Sequence, residues 1–246
     1  MRSLLAAGVV FAWLSSLLLV PAARDVGEET KFQPAEGLSV SDIPSQPLSA
    51  QNGALVLDVQ VSETGEVEDI EVRRDLAPLT KEAIRSVKTW KFQPAKVEGR
   101  FVASRITVAV NFNPLSDYSE DVPLSPLILH ADETRVKSRF QPADVAFAAM
   151  PGYPGDAFNP GTVVLAVTVS EKGKTDGTKV LRDAPPFTAK ALQAAADWKF
   201  VPATLNGKPI QSTAILAFVF RLPYHPIPPA QAGSVPARAG SARRRP

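Results

Sequence analysis

The sequence WKFVPATLNGKPIQSTAILAFVF at residues 198–220 repeats WKFQPAKVEGRFVASRITVAVNF at residues 90–112, which lies 108 residues earlier. Extending this match toward the amino terminus without a gap aligns residues 53–112 with residues 161–220, and 23 of the 60 positions are identical. A match of this length at a single offset indicates an internal duplication. We refer to residues 53–112 as the first repeat and to residues 161–220 as the second repeat.

Each repeat begins with a strict alternation of apolar residues, which predicts a strand with one buried face. A polar turn that ends in Gly65 or Gly173 then predicts a hairpin, because glycine adopts the positive φ that such turns need. A second strand follows in each repeat, and Thr80 and Thr188 are the predicted amino-terminal caps of a helix. The alternating residues are Leu55, Leu57, Val59 and Val61 in the first repeat and Val163, Leu165, Val167 and Val169 in the second.

The shared WKFxPA sequence marks the end of each predicted helix, since Pro94 and Pro202 cannot continue it. Gly99 and Gly207 then predict a turn into a last strand, which again alternates. In the second repeat this last strand is apolar on its other face as well, which predicts cover on both sides. The residues of that other face are Ile215, Ala217 and Val219.

The order strand, strand, helix, strand predicts an α+β fold with two tandem ββαβ units, each a three-stranded antiparallel sheet covered by one helix. Helical spacing and the shared motif give a structural role to Trp90, Phe92, Pro94, Trp198, Phe200 and Pro202. The predicted organisation is a signal peptide or membrane anchor at 1–23, an extended lead-in at 24–52, a first domain at 53–113, a linker at 114–150, a second domain at 151–222 and a disordered Pro/Arg-rich tail at 223–246.

The amino terminus has the pattern of a secretory signal peptide. Met1 and Arg2 precede the apolar run LLAAGVVFAWLSSLLLV, and small residues follow, so cleavage is expected near Ala22 or Ala23. The run of 17 residues is also close to the length that spans a bilayer, which leaves an uncleaved inner-membrane anchor as an alternative. Both alternatives predict that the rest of the chain works outside the cytoplasm.

The composition restricts the possible chemistry. The chain has no Cys and two His, His130 and His225, both in Pro-rich stretches outside the repeats. The net charge of +2 provides no broad field for attracting nucleic acid. We also find no HExxH, GxSxG or P-loop pattern. We therefore predict a protein that is not an enzyme, with no metal site, no cofactor and no nucleic-acid partner.

The combination of hairpin, helix, WKFxPA, glycine turn and an alternating strand that ends in Phe resembles the TonB carboxy-terminal domain. The second repeat resembles it more closely, because Pro151, Tyr153 and Pro154 correspond to the Pro-x-Tyr-Pro that precedes the first strand in that family. The first repeat has Ser45 and Gln46 in place of the Tyr-Pro pair.

This resemblance implies a non-enzymatic periplasmic protein that binds an envelope partner, namely a segment of an outer-membrane transporter. The expected mode is β-augmentation, in which an extended segment adds to an unpaired sheet edge. The expected edges are residues 101–112 and residues 211–220. The predicted partner-binding residues are Tyr153, Pro154, Gln211, Thr213, Ile215, Ala217 and Val219.

Two alternatives stay open at this point. The chain could be an inner-membrane-anchored energy transducer for outer-membrane transport, with membrane contact only if the amino-terminal segment is retained. Against this, the apolar run has no His, and the spacer before Gly53 is short. Alternatively, the chain could be a structural scaffold in which the two repeats cover each other's sheet edges. The sequence also leaves open the role of KFQPA, which occurs at 31–35 and 91–95, with RFQPA at 139–143.

Overall fold

The computed structural model describes residues 31–44, 53–113, 139–154, 157 and 159–221. All of these residues belong to one unit of the chain that begins at Lys31. Among them, no helix combines the length and the apolar character needed to cross a membrane. The predictions for residues 1–23 and 223–246 fall outside the described residues, as does most of the predicted linker.

The first part of the described chain contains a lead-in and the first repeat. Residues 31–44, which we call the first lead-in segment, hold two short strands. The first repeat then forms two long strands, a helix, three short strands and a last long strand. These elements are β1 (Phe32–Gln33), β2 (Glu36–Ser39), β3 (Gly53–Val61), β4 (Val67–Arg74), α1 (Leu79–Val87), β5 (Lys91–Gln93), β6 (Ala95–Val97), β7 (Arg100–Val102) and β8 (Ser104–Phe112).

The second part has the same order of elements. Residues 139–154, which we call the second lead-in segment, again hold two short strands, and the second repeat follows. These elements are β9 (Phe140–Gln141), β10 (Asp144–Phe147), β11 (Gly161–Val169), β12 (Thr175–Arg182), α2 (Thr188–Asp197), β13 (Lys199–Val201), β14 (Ala203–Leu205), β15 (Lys208–Ile210) and β16 (Ser212–Phe220).

The long strands of both repeats form one six-stranded sheet in the order β12-β11-β16-β8-β3-β4. Neighbouring strands within a repeat run antiparallel, and the repeats meet where β16 runs parallel to β8. The α+β class predicted from the sequence is confirmed. The structure differs from the prediction in joining the two sets of three strands at their last strands, so that they make a single sheet.

Helices α1 and α2 lie on opposite faces of this sheet. Val164 and Leu165 are neighbours on β11, so their side chains point to opposite faces. Val164 belongs to the buried cluster that contains Ala83 of α1, whereas Leu165 belongs to the cluster that contains Ala191 of α2. The single sheet therefore separates two hydrophobic cores, each covered by the helix of one repeat.

The second apolar face of β16 is buried, as predicted. Ile215, Ala217 and Val219 are at most 1% exposed and lie in the core that contains α1. In the other direction, Val56 and Ala109 of the first repeat lie in the core that contains α2. Each core therefore includes side chains from both repeats.

The lead-in segments explain the repeated KFQPA sequence. In the first lead-in segment, β1 pairs with β6 and β2 pairs with β5. In the second, β9 pairs with β14 and β10 pairs with β13. The rings of Phe32 and Phe140 contact each other, with centroids 4.6 Å apart. Each KFQPA or RFQPA segment therefore contains a short strand, and each lead-in pairs with the strands that follow the helix of its own repeat.

The predicted helix caps are wrong in position. Helix α1 begins one residue before Thr80, with Pro78 as its cap, and α2 begins at Thr188 itself. The hydroxyl of Thr80 accepts a hydrogen bond from the backbone N–H of Leu76 at 2.8 Å and donates one to Asp75 at 2.5 Å. Thr80 therefore stabilises the turn before the helix by bonding to Leu76 and Asp75 of that turn.

Candidate partner-binding edges

The predicted partner-binding strand β16 lies in the middle of the sheet. It pairs with β11 over its whole length and with β8 from Ala214 to Val219. The expectation that residues 101–112 and 211–220 form free edges is therefore corrected, because β8 and β16 pair with each other. We call this pair of strands the seam. Partner binding through β16 stays a prediction, and it would require the seam to open.

The predicted contact residues of β16 differ in their access to solvent. Ile215, Ala217 and Val219 are buried within the first core. Gln211 is exposed and Thr213 is half-buried, and both precede the stretch of β16 that pairs with β8. Only these last two residues could contact a partner without a change in the sheet.

Tyr153 and Pro154 lie against the second repeat. The ring of Tyr153 packs edge-on against Phe187 and Phe220, with centroid distances of 5.6 and 6.2 Å. Its hydroxyl is buried without a hydrogen-bond partner among the described residues, and burial raises the pKa of this phenol. Pro154 is buried as well. This packing anchors the second lead-in segment, and a role of the two residues in partner binding stays a prediction.

Arg221 links the two strands of the seam at their carboxy-terminal ends, and the sequence patterns did not indicate this role. Its guanidinium, 1% exposed, donates from Nε and Nη2 to the backbone oxygen of Asn113 at 3.1 and 2.8 Å. The backbone N–H of Asn113 donates in turn to the oxygen of Val219 at 3.1 Å. Burial lowers the pKa of Arg221. The only sequence signal was a charged residue directly after an apolar strand.

The free edges of the six-stranded sheet are β4 and β12. Each of these strands is interrupted by a shift in register near both of its ends. The regular stretch between the two shifts runs from Asp69 to Val72 in β4 and from Gly177 to Val180 in β12. Bulges near the ends of an edge strand limit how far another strand can pair with it. Each edge therefore offers a short backbone ladder.

The seam and the free edges should differ strongly in amide hydrogen exchange. We expect the amides of β16 from Ala214 to Val219 to exchange only through global unfolding, because this stretch is paired on each side and its side chains are buried. We expect fast exchange for those amides of β12 that point away from β11. Mass-spectrometric exchange on the whole chain measures both. Fast exchange throughout β16 would contradict a closed seam and would restore it as a binding edge.

The sequence model of the Gram-negative bacterial TonB protein C-terminal family matches the chain twice, at residues 48–114 and 156–222, and so covers more than half of it. The chain belongs to this family. Each match contains one complete repeat, so the tandem arrangement predicted from the sequence is confirmed. No curated protein matches the chain significantly.

Membership of the TonB C-terminal family identifies a TonB-like envelope protein. The family's domain is a non-enzymatic protein-interaction domain associated with outer-membrane transport. Within the ranges that the structure describes, no group of three His, Cys, Asp or Glu side chains is placed to hold a metal ion.

The first TonB-like repeat has a network of charges beside its free edge. Glu71 of β4 accepts hydrogen bonds from Arg105 at 2.8 Å and from Arg73 at 3.1 Å. The bond from Arg105 lowers the pKa of Glu71 despite the partial burial of this carboxyl. Arg105 also donates to Asp58, which is 2% exposed, at 3.1 Å. The acidic groups of this network are therefore neutralised by neighbouring arginines.

The second TonB-like repeat lacks this network among its described residues. Lys179 of β12 stands where β4 has Glu71, and no ion pair to Lys179 occurs among the described residues. The neighbouring Val180 is 39% exposed. The residues that correspond to Asp58, Arg73 and Arg105 are Ala166, Leu181 and Thr213.

The motif residues lie where the helices meet the lead-in segments. The indole Nε1 of Trp90 donates to the hydroxyl of Ser41 at 3.1 Å, and that of Trp198 donates to the backbone oxygen of Ala149 at 2.9 Å. Both indoles are at most 1% exposed. Among the other motif residues, Phe92 and Phe200 are buried, and Pro94 and Pro202 are half-buried.

Proposed function

We propose that this protein binds an envelope partner in the periplasm by sheet-edge pairing, and that the partner is a segment of an outer-membrane transporter. The edge proposed for this contact is β12. The observation that supports it most directly is that β12 ends the sheet while its exposed side chains are free of the charge network found beside β4. The mechanism is non-enzymatic, since backbone groups supply the affinity and side chains supply the selectivity.

The choice of β12 over β4 rests on charge. Five of the eight residues of β4 are charged, against three of eight in β12. Charged side chains on an edge strand are one of the devices that prevent pairing with other chains. The middle of β12 is Gly177, Thr178, Lys179 and Val180, in which a single residue is charged. A partner strand would therefore meet less competing charge at β12.

The short ladder limits the size of the partner segment. The regular stretch of β12 has four residues, and alternate residues direct their backbone groups away from β11, so about two residues can bond a partner strand. Each such hydrogen bond contributes about 0.5–1.5 kcal/mol. Such a contact fits a short extended segment, and its affinity depends on additional side-chain contacts. The predicted contacts at Tyr153, Pro154 and the residues of β16 belong to a second form of the proposal, in which the seam opens.

A structural scaffold is the second candidate function, and the seam favours it. Both last strands are used within the chain, and both remaining edges carry bulges. In that case the protein would present no edge to a transporter. The proposal of an anchored energy transducer depends instead on retention of residues 1–23. The mass of the protein extracted from the envelope tests it, because a mature start near Ala23 would remove the anchor.

Site-specific cross-linking distinguishes partner binding from the scaffold. We expect a photoreactive amino acid at Thr178, which is exposed in the middle of β12, to cross-link in the intact envelope to an outer-membrane transporter identified by mass spectrometry. The matched control is the same amino acid at Gln193, which is exposed on α2. Equal products from both positions, or none from Thr178, would reject pairing at β12 and favour the scaffold.

A further inference from the structure

Two lysines oppose each other at the hairpin end of the second repeat. Lys174, at the turn before β12, forms an antiparallel bridge with Lys199 at the start of β13. Both side chains are exposed. Like charges directly opposite each other in a sheet are destabilising, because their Cβ atoms lie only about 5 Å apart. The fold therefore holds two ammonium groups at a position where one carboxylate would be favourable.

The first repeat provides an internal comparison at the same two positions. There, Glu66 corresponds to Lys174 and Lys91 corresponds to Lys199, and the two side chains form an ion pair. The backbone arrangement is shared, since Phe92 and Phe200 each donate to the glycine of their own hairpin turn. The difference between the repeats at this place is therefore the exchange of an acidic residue for a basic one.

No acidic group of the described chain neutralises these lysines. Lys174, Lys179 and Lys199 form no ion pair with any described residue. The ammonium group of Lys199 lies over the ring of Phe147, 5.8 Å from its centroid. Asp176, the acidic residue of β12, forms no ion pair with any of these lysines. The described residues thus leave these cations available to an external anion.

The lysines flank the edge on which partner binding is proposed. Lys174 precedes β12 and Lys179 lies in its regular stretch, so an extended segment paired with β12 would pass both. At about 3.3 Å per residue, the two positions are separated by about 16 Å along the strand. A segment with acidic side chains at both places would pair with otherwise uncompensated charges.

We propose that Lys174, Lys179 and Lys199 select an acidic extended peptide as the partner of β12. This inference rests on the proposed function and adds the chemistry of the partner. A carboxylate between Lys174 and Lys199 would take the place that Glu66 has in the first repeat. Selectivity would then come from charge, while the backbone ladder stays independent of sequence.

Two labelled peptides test the charge selectivity on the whole protein. The first is a fluorescein-labelled ten-residue peptide in which Val and Glu alternate, and the second has Gln in place of every Glu. We expect the Glu peptide to bind at least about twofold more tightly in low salt, because two or three exposed ion pairs each add a small favourable free energy. The difference should shrink in high salt, since exposed charges are screened.

Lys174→Glu separates binding from folding. This substitution gives the second repeat the ion pair of the first, so the melting temperature should stay the same or rise, while the preference for the Glu peptide should largely disappear. The matched variant Glu66→Lys should lower the melting temperature slightly and leave the peptide preference unchanged.

Three outcomes would overturn the inference: equal affinity of the wild type for the two peptides, no binding of either peptide, or an unchanged preference in Lys174→Glu. If cross-linking from Thr178 reaches a transporter while the two peptides bind equally, only the charge selectivity fails. If Thr178 gives no cross-link, the proposed function fails at β12.

Discussion

Ala217→Glu should unfold both repeats together. Ala217 is fully buried on β16, opposite Val164 of β11 on one side and Val110 of β8 on the other. A carboxylate at this place would lie in an apolar core without a partner. We expect a loss of about 4 kcal/mol or more, which is comparable with the whole stability of many domains.

Hydrogen exchange and circular dichroism during urea denaturation measure this effect. If the sheet is one cooperative unit, the amides of β3 and β8 lose protection to the same extent as those of β11 and β16. The matched control is Ala196→Glu, the same substitution at an exposed position of α2, which should change the stability by less than about 0.5 kcal/mol. Loss of protection in the second repeat alone would show that the repeats fold independently.

The elements of each repeat could be predicted because they depend on residues that are close in the sequence. The alternation of Leu55, Leu57 and Val59 defines the buried face of β3 wherever that strand is placed in the sheet. Gly65 and Gly173 have φ values of +86° and +73°, as the predicted hairpin turns require. The short strands of the lead-in segments have only two to four residues, which is too few for a periodic pattern.

The pairing of the two last strands could be predicted only in part. The second apolar face at Ile215, Ala217 and Val219 indicated that something covers β16, but not what covers it. The corresponding face of β8 is mixed, and Asn111 there donates to the sulfur of Met150 at 2.9 Å. Backbone groups make the seam, and these are the same for every residue, so sequence patterns carry little information about which strand is the partner.

The candidate edge was missed for the same reason. Treating each repeat as an isolated sheet leaves its last strand at an edge, and the seam removes that edge. The internal alignment shows an exchange of charge, because Lys174 stands where the first repeat has Glu66 and Lys179 stands where it has Glu71. Its meaning depends on the bridge between Lys174 and Lys199, which is a contact between distant parts of the repeat.

Gly173→Ala should destabilise the protein much more than Gly207→Ala, although both glycines have a positive φ. A Cβ atom at residue 173 would lie 1.9 Å from the backbone oxygen of Phe200, whereas nothing lies within 4 Å of a Cβ atom at residue 207. The φ values are similar, +73° and +79°. The conformational cost of about 1–2 kcal/mol is therefore common to both variants, and the clash is specific to the first.

Relieving this clash would disrupt other interactions of Phe200. The backbone N–H of Phe200 donates to the oxygen of Gly173 at 2.8 Å, so moving the strand away from the turn breaks this bond. Phe200 is also buried in the core that contains α2. Overpacking and a lost hydrogen bond together lead us to expect that Gly173→Ala costs about 2–4 kcal/mol more than Gly207→Ala.

Urea denaturation of the two variants measures this difference, and the first repeat supplies a second matched pair. A Cβ atom at residue 65 would lie 2.0 Å from the oxygen of Phe92, and nothing lies within 4 Å of one at residue 99. Gly65→Ala and Gly99→Ala should therefore differ in the same direction and by a similar amount. Equal stability of Gly173→Ala and Gly207→Ala would mean that the turn and the strand after the helix are not in contact in the second repeat. The hairpin end beside Lys174 and Lys199 would then lack the rigid support that the arrangement of its charges requires.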